Sequence, residues 1–310
     1  MSPTNVSFDN LSPLQQLRRL HELERAEADE RTDHFCSLLE AFRKRLAALP
    51  SSAILDLLGE VVGDPMVEDQ HGYWCCVSEL HRRADPAIFA TCAAWGASAE
   101  PRTREASAHV LSQLGYTRGH PFARQSQSIL ERHLEDRETS VVAAALNALG
   151  HLRVGELSLI AAHAGHPQAQ VRRAVVHALL SRDEPLARRI LMELSRDVET
   201  EVRDWATFGL GAGSEVDSPE IHAALVARLA DEDDETRGEA LVGLAQRKDP
   251  RVIAAISKEL ASDAVNHLAI EAARQMPDES FLPALETLLR ASPDDPGIMT
   301  VIAACRTTAS

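Results

Sequence analysis

The chain has 310 residues, of which 45% are hydrophobic and 25% charged; 47 acidic side chains stand against 32 basic ones, giving a net charge of −15. This is the composition of a core-forming protein with no apolar run near the roughly 18 residues of a membrane span, and its charge repels a polyphosphate backbone unless a basic face is segregated, so nucleic acid is disfavoured as a partner. Aromatics at 4% beside abundant Ala and Leu suit closely packed helices rather than sheets, and five unevenly spaced cysteines (Cys36, Cys75, Cys76, Cys92 and Cys305) argue against a disulfide framework and for a reducing compartment, the cytoplasm.

The first stretch, MSPTNVSFDN, has no basic region followed by an apolar one, so no secretory signal is expected. Residues 12–49 are highly charged, with Leu14, Leu17, Leu20 and Leu23 at helical spacing. They read as one long helix or two joined ones. Phe35, Leu38, Leu39 and Phe42 require burial, which favours an N-terminal helical cap over residues 1–50 rather than a free arm.

From residue 51 to 292 the chain repeats itself. TREASAHVLSQLG (from Thr103), VVAAALNALG (Val141), VRRAVVHALL (Val171), VRDWATFGLG (Val202), TRGEALVGLA (Thr236) and VNHLAIEAA (Val265) each begin with a β-branched residue, and they start 38, 30, 31, 34 and 29 residues apart. A weaker copy, GYWCCVSEL, begins at Gly72. The fifth position is Ala at 145, 206, 240 and 269, the eighth is Ala or Gly at 148, 178, 209, 243 and 272, and the ninth is Leu in all but the last. Between these segments lie further amphipathic helices, such as PLARRILMELSRD (from Pro185), SPEIHAALVARLAD (Ser218) and DPRVIAAISKELASD (Asp249). Ser or Asp followed by Pro pairs an N-cap oxygen with a residue that lacks a donor to lose. A helix pair this short cannot bury its apolar face alone, so neighbouring pairs must stack. The final stretch, 293–310, reads as a short helix and a loose tail.

These residues resemble the HEAT repeats, in particular the short bacterial HEAT-like repeats also found in phycobilin lyases. The resemblance covers about residues 72–292 and is clearest over 136–285. It implies an all-α fold: a right-handed α-solenoid of stacked antiparallel helix pairs, about seven units. HEAT repeats commonly carry an Asp in the turn before the second helix and a basic residue early in it. Here Asp197 precedes Arg203, and Asp231 precedes Arg237, each by six. That spacing lets each carboxylate meet the guanidinium of its own or of the next repeat. Val142 and Asn266 depart from the pattern.

The resemblance also implies that second helices line a concave surface. At ~100° per residue the first, fifth, sixth, eighth and ninth positions of each segment share one broad side, and the third and seventh fall opposite. The central strip then holds Arg173, His177, Asp204, Trp205 and Phe208, with Val242, His267 and Glu271 further along. Trp205 and Phe208 read as aromatic anchors flanked by charge or as packing residues. Trp205, at the margin of the buried side, favours packing on a neighbouring helix, and Phe208 favours partial exposure.

Catalytic signals are weak. His71, Cys75, Cys76, His81 and Cys92 lie within 22 residues, but adjacent cysteines on a helix diverge and no C-x₂-C or H-x₃-H pair is present, so no metal or cofactor is expected. His163 and His166 are expected in a loop that ends a helix. HEAT-like hydroxylases carry repeated His-Glu dyads, whereas the only such pair here is His21-Glu22, outside the repeats. HEAT-like DNA glycosylases use a basic groove, and the central strip holds one Arg and no Lys. The acidic run DEDDE (Asp231 to Glu235) reads as helix-start chemistry. The expected function is a non-enzymatic scaffold or adaptor that binds a protein partner, with neutralisation or sequestration of a basic partner as its more specific form, for example in toxin immunity or defence. The alternative is a HEAT-like lyase or isomerase acting on a bound chromophore or prosthetic group.

Overall fold

The computed structural model describes residues 7–26, 33–63, 70–180 and 182–308. Parts of the expected N-terminal cap, at 1–6 and 27–32, and the last two residues of the expected tail lie outside the described residues. The regular elements among the described residues are all helical.

The chain divides into two compact units. The N-terminal unit, Met1–Leu159, holds α1 (Pro13–Ala26), α2 (Asp33–Ala48), α3 (Ser51–Gly63), α4 (Gln70–His81), α5 (Pro86–Trp95), α6 (Pro101–Leu111), α7 (Ala123–His133) and α8 (Thr139–Leu152). The division falls within the short α9 (Leu157–Ala161). The C-terminal unit, Ile160–Ser310, holds α10 (Ala169–Leu179), α11 (Pro185–Leu194), α12 (Thr200–Leu210), α13 (Pro219–Arg228), α14 (Asp234–Gln246), α15 (Ile253–Leu260), α16 (His267–Gln275), α17 (Leu282–Ala291) and α18 (Pro296–Thr308).

All seven repeated segments fall on even-numbered helices, from α4 to α16, each following a partner that the intervening sequence supplies. One further pair, α17 with α18, completes the C-terminal unit. The helix expected to be short runs for 13 residues and buries Ile298, Val301, Ile302 and Cys305. It lacks the Ala and Leu positions of the other segments, which is why its sequence does not align with them. At the other end Leu17, Leu20, Phe35, Phe42 and Leu46 are buried in one core with residues of α3 and α4.

The proposed helix starts are built as the sequence suggests. Ser218 accepts from the Ile221 amide at the start of α13, and Asp249 accepts from the Arg251 amide, with Pro219 and Pro250 at the first turn. In the acidic run, Asp231 takes guanidinium and backbone donors, while Asp233 caps α14 through the Thr236 amide.

Arginines at the second position of the repeated helices tie successive repeats together. Arg203 directs Nη1 to the carbonyls of Asp197 and Val198 in its own turn, and its Nε and Nη2 to Asp231 of the next turn at 3.2 and 3.0 Å. Arg172 does the same with the His166 and Pro167 carbonyls and with Asp197, at 2.6 Å for both charged bonds. Arg237 holds the Asp231 and Glu232 carbonyls and reaches Glu259 at 2.8 Å. In the N-terminal unit Arg104 binds the Ser98 and Ala99 carbonyls and Asp136. The carboxylate partner is thus that of the following repeat. Val142 supplies no such group in α8, and Asn266 instead donates to the Asp234 carbonyl and caps α16.

Small residues bring the even-numbered helices of the C-terminal unit together. A methyl placed on Gly243 of α14 would lie 2.6 Å from the Gly211 Cα at the end of α12, and one on Gly238 would lie 2.6 Å from Leu268 of α16. Helices α10, α12, α14 and α16 pack in succession, whereas α11 and α13 pack chiefly on their own partners, α12 and α14.

Arg203→Ala removes the two-bonded partner of Asp231, which keeps Arg228 at 3.0 Å, and leaves two turn carbonyls without their donor; it is expected to lower stability by about 2 kcal/mol in urea unfolding, against about 0.5 kcal/mol or less for Arg189→Ala in an exposed ion pair. Gly243→Ala forces α12 and α14 apart at the backbone and is expected to cost about 1–3 kcal/mol in the same measurement.

Candidate functional site

The sequence-predicted strip can be followed across the even-numbered helices of the C-terminal unit. On α12, Asp204 and Phe208 are one turn apart, and Trp205 stands beside them toward α10. Trp205 is 40% exposed. Its ring meets His177 of α10 edge-on at a centroid distance of 4.9 Å and Phe208 at 5.8 Å. It therefore packs on a neighbouring helix and presents a large surface to solvent at once. Phe208 is partly buried, with its ring edge near Gly213. Arg173, one turn before His177, pairs with Glu201 at the start of α12.

Across from this aromatic group lie carboxylates. Asp204 is half-buried, and its Oδ1 is shielded from water without a hydrogen-bond partner. Burial first, then the negative charges of Asp233 and Glu235, push its carboxyl up to about 6. Glu239 of α14 is raised to about 7 by burial, by Asp204 and by Glu235. Asp204 thus acts on Glu239 from the adjacent helix. Elsewhere the chain gives such groups an arginine: Asp136 receives Arg104, whose guanidinium holds it below the ordinary carboxylate range, and Glu79 receives Arg83.

The remaining predicted residues separate from this group. Val242 is 4% exposed, a core residue rather than a surface one. Helix α14 is enclosed by α12, α13 and α16, so Leu241 through Ala245 are all buried and only a narrow stripe of the helix reaches solvent. His267 is exposed on α16, and Glu271 is engaged within that helix by Arg274 and Gln275. Asp197, Arg203, Asp231 and Arg237 all serve in the inter-repeat clamps. Glu239 was missed because it occupies the fourth repeat position. The available signal was its spacing of four from Glu235, which puts both on one helix face.

The N-terminal unit has an aromatic cluster of related construction. Trp74 of α4 is 43% exposed and its ring lies 4.8 Å from His109 of α6, while the Tyr73 hydroxyl and His109 Nδ1 are hydrogen-bonded at 2.7 Å. Burial pushes His109 down to about 4, so the ring is neutral near pH 7. His109 and His177 both occupy the seventh position of their segments. A cleft of about 430 Å³ beside Trp74 is lined by Arg43, Leu46, His71, Ser78 and Arg82, among others.

Nothing in the described residues gathers three or more His, Cys, Asp or Glu side chains suited to a metal ion. Cys75, Cys76 and Cys92 are buried thiols, and His81 bonds the His109 carbonyl through Nε2 at 2.8 Å. His163 and His166 follow the end of α9, with rings 6.5 Å apart. Among the described residues no helix is long and apolar enough to cross a membrane.

The family model for HEAT repeats matches residues 126–211 and 222–305. Protein YibA of Escherichia coli, in strain K12 and in O157:H7, is 35% identical over 119 residues, which cover 38% of this chain and 42% of each relative. The matched stretch is therefore less than half the length of these curated relatives. The solved structure of E. coli YibA superposes with a TM-score of 0.69 over 86% of this chain and 96% of that one, at 23% identity. The crystal structure of Kap121p gives 0.54 over 96% of this chain and 38% of its own, at 14% identity. At these identities the two structures establish likeness of fold alone.

Asp204 and Glu239 titrate above their unfolded values, so the stability they contribute is fully present below the ordinary carboxylate range and is lost as pH rises through about 6 to 7. Asp204→Asn combined with Glu239→Gln is expected to raise the thermal midpoint by a few degrees at pH 8 and to leave it nearly unchanged at pH 4.5. His222 lies between Asp217 and Asp249, which hold its pKa up and add their own loss on the alkaline side; it is common to both proteins, so the difference between them isolates the acidic pair.

Proposed function

This chain belongs to the HEAT-repeat family, and from that premise we propose that it is a non-enzymatic scaffold or adaptor which binds a protein partner through the face formed by its even-numbered, second helices. The observation that carries this reading is the group His177, Trp205 and Phe208, where a tryptophan is held rigidly by two aromatic neighbours and still offers 40% of its surface. Rigid, half-exposed aromatics supply contact area with little ordering cost, the property of interface anchors.

Packing supports the choice of face. In the C-terminal unit the second helices pack on one another in succession and reach backbone contact at Gly211 and Gly243, while α11 and α13 pack chiefly on their own partners. The net charge of −15 steers a basic partner toward the protein, so neutralising or sequestering such a partner is the form of binding that the electrostatics favour. Cysteines held as buried thiols, with no disulfide among the described residues, support a reducing, cytoplasmic setting for this binding.

The test is site-specific photo-crosslinking in cells. Replacing Phe208 with a photoreactive phenylalanine analogue is expected to yield a discrete protein adduct, and the same analogue at Arg189, exposed on α11, is expected to yield none. Equal labelling from both positions would remove the assignment of the face.

A further inference from the structure

We propose that the surface formed by Trp205, Phe208, Asp204 and Glu239 is a receptor for one lysine or arginine side chain of the partner, its methylene stem lying on the two rings and its charged head between the two carboxylates. The proposal rests on the scaffold reading above and specifies what that face recognises.

Three observations converge on it. The strip is ordered across the helices: His177 of α10 meets Trp205, which meets Phe208; Asp204 lies one turn before Phe208 on α12, and Glu239 on α14 is within its electrostatic reach. A long cationic side chain is amphipathic in the same sense, with an apolar stem and a polar tip, and aromatic faces attract cations directly.

The second observation is a missing partner. In the clamps, each half-buried carboxylate is met by an arginine from the preceding repeat. Asp204 and Glu239 are also withdrawn from water, yet no Lys, Arg or His side chain among the described residues pairs with either, and Asp204 Oδ1 is left without a hydrogen bond. Burying two acids side by side opposes folding. A cation brought by another molecule relieves that repulsion, so the arrangement is complementary to a positive charge that the chain itself does not provide.

The third is the surrounding field. Asp233 and Glu235 bear on the same pair, and the nearest cation on the strip, Arg173, is already engaged by Glu201. The local potential is negative, which excludes an acidic or phosphorylated segment and selects a basic one.

The test measures binding of fluorescein-labelled hexalysine to the intact chain by anisotropy at low ionic strength. Asp204→Asn with Glu239→Gln, a near-isosteric change, is expected to weaken binding about tenfold or more, and Phe208→Leu about threefold, whereas Glu193→Gln with Glu220→Gln, which removes the same charge from exposed first-helix positions, changes it less than about twofold. Equal weakening by the two charge-matched pairs, or no measurable binding by the unaltered chain, overturns the proposal. If Phe208 crosslinks a partner in cells but hexalysine does not discriminate the variants, the cation receptor falls and the scaffold reading stands. If hexalysine discriminates but no partner crosslinks, the scaffold reading falls and the receptor stands.

Discussion

The guanidinium of each clamp arginine has two working edges, and the arrangement of the repeats depends on their being used for different neighbours. In Arg203 one edge closes the carbonyls that end its own turn, and the other holds the carboxylate of the next turn. That carboxylate, Asp231, also accepts the Asp233 amide, and Asp233 in turn caps α14. A single side chain therefore fixes where the following second helix begins. Because the bonds are charge-assisted, bidentate and nearly buried, their geometry is restrictive in a way that apolar packing alone is not.

The paired acids follow from this placement. Asp204 and Glu239 sit on helices whose separation is set at one end by the Arg203 clamp and near the other by the approach of Gly211 to Gly243. Neither residue has an unusual position in its own repeat. Their carboxyls are raised first by burial between neighbouring helices, and the negative charge of the α14 start adds to both. The aromatic group has the same origin, since His177 reaches Trp205 across the α10 to α12 spacing.

Much of the fold was legible because it depends on properties local to each repeat. The β-branched start and the recurring small residues and Leu located six second helices, a weaker copy marked a seventh, and Ser218 and Asp249 announced two helix starts through their own chemistry. The Asp–Arg spacing was visible too, but whether Arg203 would meet Asp197 or Asp231 depends on the distance between repeats, which no single repeat encodes. The candidate site was read less completely for the same reason. Phe208 could be placed by angle on one helix, whereas Glu239 becomes significant only when α12 and α14 are set side by side. Val242 was misplaced because a helix enclosed on three sides buries a wider arc than the repeat pattern suggests. Helix α18 escaped the alignment because it buries Ile298, Val301, Ile302 and Cys305 in place of the small residues and Leu that mark the other second helices.

The clamps also bear on how such a chain can change length. The repeats that end in α12 and α14 each bring one arginine early in the second helix and one carboxylate in the turn, and give the carboxylate to the repeat before and the arginine to the repeat after. Duplicating or deleting the α12 repeat therefore leaves the clamps on either side of it with both an arginine and an aspartate, whereas the repeats of α8 and α16, with Val142 and Asn266, have no arginine to pass on. A cut made inside a repeat strands a buried charge. Gene rearrangements that change the number of repeats of the α12 kind are thus tolerated by the physics of the junction, and the array can be lengthened there without redesigning the joints it already has.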